Sequence, residues 1–144
     1  FITMIYCDYG ALSTDDRKKL LRIIYQHLKP GGKLLLDVFS KETFDSFREG
    51  QTWESCPSGG FWREHSYIAL SGHYKYQDLI TLEQTTIISD AEIATYYIWN
   101  TCSTQNSLIE EVKKSGFNVS GIFENVAGEK SHQNSPTIAI LLEK

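Results

Sequence analysis

The chain has 144 residues, 41% hydrophobic and 22% charged, which suits one soluble globular domain with a single core. Its formal charge of −4 and the absence of any Lys/Arg cluster give no electrostatic reason to bind nucleic acid. No apolar run approaches the ~20 residues of a bilayer span, and no charged-then-apolar leader is seen, so the expectation is a cytoplasmic chain with no membrane partner.

The first element is Phe1 to Tyr6, a β-branched and aromatic run that predicts a buried strand entering the polar turn Cys7-Asp8-Tyr9-Gly10. A sequence that opens inside a strand, without methionine, reads as a fragment of something longer. Ser13 is placed to cap a helix, with Asp15 and Asp16 in its first turn. Leu20, Leu21, Ile24 and Leu28 then recur at helical spacing. Pro30-Gly31-Gly32 stops that helix, and Lys33 to Phe39 follows as an apolar run broken only by Asp37. Such a run is expected to be a strand covered on both faces, and the unit it completes is βαβ.

Ser40 then caps a short helix from Lys41 to Glu49 that is expected to bury Phe44 and Phe47. Gly50 to Gly60 reads as an irregular loop. From Phe61 to Thr101 the composition turns to Tyr, Trp, Thr and Ile, with turn signals at Ser71-Gly72, near Gln77-Asp78 and at Ser89-Asp90. This predicts an antiparallel meander of three or four strands. Ile80, Leu82 and Ile88 alternate onto one face with Gln84 and Thr86, leaving one side open to solvent or ligand. Ser103 or Thr104 caps a helix carrying Leu108, Ile109 and Val112, which Gly116 ends. Phe117 to Phe123 is a strand, Glu124 to Pro136 a polar loop and Thr137 to Leu142 a terminal buried strand. Cys7, Cys56 and Cys102 lack any CxxC or Cys/His ligand spacing, so they read as reduced packing thiols and no metal site is expected.

An apolar strand with a polar exit, a helix ending Leu28-Lys29-Pro30-Gly31-Gly32, the strand Lys33-Leu34-Leu35-Leu36-Asp37, a helix ending Lys114-Ser115-Gly116-Phe117 and two closing strands resemble the C-terminal half of a class I S-adenosylmethionine-dependent methyltransferase. The resemblance covers residues 1–49 and 102–144. It implies an α/β fold with a partial Rossmann-like sheet, corresponding to family strands 4, 5, 7 and 6 with the last strand antiparallel. The antiparallel meander at 61–101 is then an insertion on the substrate side. The family's glycine-rich cofactor loop and ribose-binding acid lie upstream of these elements, and no Gly-x-Gly occurs among the ten glycines of this chain. The resemblance therefore implies S-adenosylmethionine as cofactor and a small-molecule methyl acceptor as substrate, but a chain unable to hold the cofactor alone.

By the same resemblance Asp8 and Tyr9, after the first strand, line the cofactor and methyl-transfer region. Asp37 reads as a structural acid within its strand. Methyl transfer is an in-line displacement that requires alignment and exclusion of water more than covalent catalysis. The aromatic meander offers His73, Tyr74, Tyr76 and Trp99 as substrate-binding candidates. The rival reading is a non-enzymatic module that binds a small ligand or a protein through those aromatics. With no partner on its outer side, Phe1 to Tyr6 is also an apolar sheet edge, which predicts a homodimer paired through that strand.

Overall fold

A computed structural model describes every residue except Ser131 and Gln133. The elements run β1 (Ile2–Met4), α1 (Thr14–His27), β2 (Lys33–Phe39), α2 (Lys41–Ser46), β3 (Gly50–Cys56), β4 (Tyr67–Tyr76), β5 (Ile80–Ser89), β6 (Ile93–Thr101), α3 (Gln105–Lys114), β7 (Asn118–Phe123) and β8 (Thr137–Glu143). A single 3-10 turn, Asp8–Ala11, lies between β1 and α1. Among the described residues the strands form two sheets, β1-β2-β8-β7 and β3-β4-β5-β6. In the first, β1 pairs parallel with β2, while β8 runs antiparallel to both β2 and β7. The second is antiparallel throughout.

The βαβ unit is fixed by its caps. The Ser13 hydroxyl accepts the Asp16 amide at 3.2 Å, satisfying one of the donors that a helix start leaves free. At the other end Gly31 takes φ 74°, where a side chain would be strained. Its amide donates to Lys144 O at 3.1 Å, tying the turn to the end of β8. Leu21, Leu34, Leu36 and Leu142 are fully buried in one cluster with Leu108 and Val112 of α3. Each such side chain contributes roughly 1.5–3 kcal/mol relative to exposure. Both α1 and α3 therefore lie on one face of the first sheet. The other face of β2 is only half covered at Leu35 and Phe39, which corrects the expectation of helices on both sides.

Several boundaries differ from the sequence reading. The first strand spans Ile2–Met4 rather than Phe1 to Tyr6, because Tyr6 and Cys7 adopt left-handed φ of 71° and 60°, which no strand continues through. The helix after Ser40 ends at Ser46, and Phe44 and Phe47 are half-buried, not core. Gly50–Cys56 is not a loop but the edge strand of the meander, paired with Tyr67–His73. The second strand begins at Tyr67, so Phe61 to Ser66 is irregular. No turn forms at Ser71-Gly72, which sits inside the ten-residue β4. There Gly72 is tolerated because the Tyr74 ring folds over it, the Tyr74 hydroxyl lying 2.5 Å from where a Cβ would be. The polar loop expected from Glu124 to Pro136 includes Ser131 and Gln133, which lie outside the described residues.

Candidate functional site

In open α/β sheets the ligand-binding crevice lies beyond the carboxyl ends of the parallel strands. Here those ends are Met4 and Phe39, and the chain leaves β1 through two successive left-handed residues, Tyr6 and Cys7. One buried acid holds this reversal: Asp37 Oδ1 accepts the Cys7 amide at 2.9 Å. The acid that interrupts the apolar run of β2 thus anchors the exit of β1 and is not itself displayed. The 3-10 turn that follows is clamped to the meander, since a Cβ on Gly10 would fall 2.9 Å from Thr101 O. At this exit Asp8 is exposed and Tyr6 is 87% exposed, so both present their side chains at the sheet's carboxyl edge.

Tyr9 does not join them. It is 1% exposed, and its hydroxyl donates to Glu111 Oε1 at 2.7 Å. The same oxygen accepts from Arg17 Nε at 2.9 Å, and an Arg17 terminal nitrogen donates to Leu12 O at 3.2 Å. Burial, reinforced by the hydrogen bond to Glu111, raises the Tyr9 phenol far above its ordinary value. The pocket-lining role expected of Tyr9 gives way to a structural one: it braces the turn after β1 against α1 and α3. The aromatic exposed at this exit is Tyr6, which the sequence reading places in the strand and which its left-handed backbone turns out of it.

The thiols stay as packing groups. Cys7 and Cys102 are buried, and desolvation raises Cys7 to about 12, with Asp37, Cys102 and Asp8 adding to the effect. Cys102 is raised to about 11, again chiefly by burial. Neither supplies a thiolate nucleophile near neutral pH.

The four meander candidates divide between two faces, because successive residues of a strand point to opposite sides. Tyr74 is opposite Leu82, which is opposite Trp99, while Tyr76 pairs with Ile80. The Tyr76 and Trp99 rings meet at 5.5 Å. His73 pairs with Glu83 on the reverse face and packs against Phe47, with ring centroids 5.9 Å apart. Lys75 shares that reverse face, its ammonium 4.4 Å from the Phe44 ring centroid. His73 is therefore turned toward α2, the helix leaving the carboxyl end of β2, whereas Tyr74, Tyr76 and Trp99 are turned away from it. One pocket lined by all four is ruled out by the pleat.

The reverse face also holds a cluster the sequence reading did not single out. Trp62 stacks on Tyr96 at 4.8 Å, and Arg63 donates to the Tyr96 hydroxyl at 3.1 Å and to Glu92 at 2.6 Å. The hydrogen bond to Tyr96 is the largest influence raising the Arg63 guanidinium above its ordinary value. Its members are spread over three segments, so only the register assembles them.

No family model matches the chain, and no curated protein matches it. Solved structures do. The chain superposes on an S-adenosylmethionine-dependent methyltransferase from Clostridium acetobutylicum ATCC 824 with a TM-score of 0.72 at 12% identity, over 99% of this chain and 57% of that one. The CcbJ methyltransferase from Streptomyces caelestis gives a TM-score of 0.68 at 11% identity, over 99% and 59%. The glycopeptide N-methyltransferase MtfA, solved with S-adenosylmethionine, gives 0.52 at 19% identity, over 98% and 55%. The chain thus has the fold of S-adenosylmethionine-dependent methyltransferases, of which it spans rather more than half the length.

Proposed function

We propose that this chain is the C-terminal, substrate-side portion of an S-adenosylmethionine-dependent methyltransferase acting on a small molecule in the cytoplasm. The observation that carries the reading is the superposition of 99% of the chain on 57% of such an enzyme. The cofactor's chemistry is the supply of an electrophilic methyl group. The residues on hand fit only one side of that group. Asp8 offers a carboxylate and Tyr6 a ring at the sheet's carboxyl edge, but Tyr9 and Cys7 are turned inward, and no glycine-rich turn follows β1 or β2 to admit a nucleoside backbone-close. On this reading the chain alone does not retain the cofactor, and residues beyond this sequence complete the site.

The methyl acceptor then lies between the exit of β1 and the meander face carrying His73. Asp8 orients it by accepting a hydrogen bond, and His73 walls the space beside α2. Tyr74, Tyr76 and Trp99 stand outside that space.

Calorimetry with S-adenosylmethionine tests the cofactor half of the proposal. The 144-residue chain should give no binding heat at ligand concentrations that saturate the product of the complete reading frame. Saturable binding to the chain alone would overturn it. In that complete product, Asp8→Ala and His73→Ala should raise KM for the acceptor while Tyr76→Ala leaves it unchanged. An equal response of all three would show that the face assignment is wrong.

A further inference from the structure

We propose that Asp37 is a positioning residue for methyl transfer: through the Cys7 amide it fixes the left-handed exit of β1, and with it the place of the Asp8 carboxylate. Asp37 itself touches no substrate, and this role rests on the reading that Asp8 orients the acceptor. Two penalties meet at this point of the fold. Asp37 shares its face of β2 with Leu35 and Phe39 and is only 8% exposed, so a carboxylate is largely withdrawn from water where an apolar side chain would suit the strand. Tyr6 and Cys7 take positive φ in succession, a backbone that glycine adopts freely and that a side chain strains.

Strain of this kind persists only where surrounding contacts over-determine the backbone, and it gathers at functional sites. The bond from the Cys7 amide to Asp37 Oδ1, 2.9 Å long and buried, is such a contact, and a carboxylate acceptor makes it roughly twice as strong as a neutral one. It joins the exit of β1 to β2, the two parallel strands whose carboxyl ends form the crevice.

The bond governs Asp8 because the residues on either side of Asp8 are held. Before it, Cys7 is tied at both ends, its amide to Asp37 and its carbonyl to the Gly10 amide at 3.0 Å. After it, the Tyr9 hydroxyl is fixed on Glu111, and Gly10 lies so close to Thr101 O that a Cβ has no room. Among the described residues the Asp8 side chain makes no hydrogen bond or ion pair, so the backbone alone sets where its carboxylate stands. Releasing the Cys7 amide therefore moves Asp8 without touching it.

Two measurements test this. In the 144-residue chain the Cys7 amide should exchange its hydrogen at least about tenfold faster in Asp37→Ala than in the parent, with the circular-dichroism spectrum unchanged. Asp37→Asn should keep the protection, since its amide oxygen still accepts, and nothing among the described residues pairs with Asp37 Oδ2 for the new nitrogen to displace. In the product of the complete reading frame, Asp37→Ala should lower kcat/KM for the acceptor by about ten- to a hundredfold at unchanged cofactor affinity, and Asp37→Asn should stay within about threefold of the parent. In an Asp8→Ala background, Asp37→Ala should cost no more than about a further twofold, because the side chain it positions is gone. Asp37→Val, which also lacks an acceptor and suits a strand better, carries the same expectations if the alanine variant does not fold. The proposal falls if Cys7 exchange is the same in Asp37→Ala and the parent, if asparagine fails as badly as alanine, or if Asp37→Ala loses the same factor with and without Asp8. If Asp8→Ala alone leaves kcat/KM unchanged, the acceptor-orienting role of Asp8 fails and the role of Asp37 falls with it, a result distinct from additive losses at the two positions.

Discussion

Removing the Glu111 carboxylate should destabilise this fold strongly, because two buried donors share it. One oxygen of Glu111 accepts both the Tyr9 hydroxyl and Arg17 Nε, and the Arg17 and Glu111 side chains are 9% and 23% exposed. Glu111→Ala leaves a nearly buried guanidinium with only Leu12 O and a buried phenol with no acceptor. Breaking a fully buried charge pair costs about 3–5 kcal/mol, and the partial exposure of Glu111 puts this case at the low end of that range. The orphaned Tyr9 hydroxyl adds about 1 kcal/mol, giving a loss of about 4 kcal/mol. Glu111→Gln keeps a neutral oxygen in place for both donors and should lose about 1–1.5 kcal/mol, the difference between a charge-assisted and an ordinary hydrogen bond. In urea titrations followed by circular dichroism, the alanine variant should show a far lower midpoint with unchanged slope, and the glutamine variant a small shift. A double cycle with Tyr9→Phe should show strong coupling. If alanine and glutamine cost the same, or if alanine costs under about 1 kcal/mol, the triad does not brace the turn as argued.

The remaining predictions concern the thiols, a cap and a close contact. Cys7 and Cys102 stay protonated in the folded chain to about 12 and 11, whereas an unfolded thiol ionises near 9.0. Because the unfolded chain releases these protons first, the thiols' contribution to stability should be constant well below pH 9 and fall as pH rises toward 11, and Cys7→Ala with Cys102→Ala should lessen the alkaline decline in urea midpoints. At pH 8 an aromatic disulfide reagent should titrate the half-exposed Cys56 quickly and the other two only at the rate of unfolding. Ser40→Ala removes a hydroxyl that donates to Ser135 O at 2.6 Å and accepts the Glu42 amide at 3.1 Å, so it should destabilise by about 1–2 kcal/mol in the same assay. Gly10→Ala drives a methyl to 2.9 Å from Thr101 O and should cost about 1–3 kcal/mol, with loosened hydrogen-exchange protection where β6 ends.

The α/β portion was legible because its signals are local. The Ser13 cap, the Gly31 turn and the apolar run of β2 are each written within a few residues and stand where the sequence places them, and of the two caps it offers for α3, Ser103 and Thr104, the structure selects Thr104, partnered by Ser107. What was not legible depends on contacts between distant segments. Tyr6 leaves its strand where Asp37 captures the Cys7 amide from thirty residues further along the chain. Gly50–Cys56 looks irregular by itself and becomes a strand because the partner Tyr67–His73 is there to pair with it. Gly72 reads as a turn until the Tyr74 ring is seen to cover it.

The meander shows why the candidate site was only half readable. Aromatic density is a property of a segment, but a binding surface is a property of a face, and in a strand adjacent residues belong to different faces. His73 and Tyr74 are neighbours in sequence and opposites in space, so choosing them together joined two surfaces with different work to do. Charge separates the two faces where aromaticity does not. Glu54, Lys75 and Glu83 all fall on the face turned toward α2, and the rows through Trp53, Leu70, Tyr97 and Trp99 carry no charge at all. The ionisable groups track the side of the sheet that α2 approaches, where His73 packs on Phe47 and Lys75 lies over Phe44, so substitutions that probe the meander have to be chosen by face and not by segment.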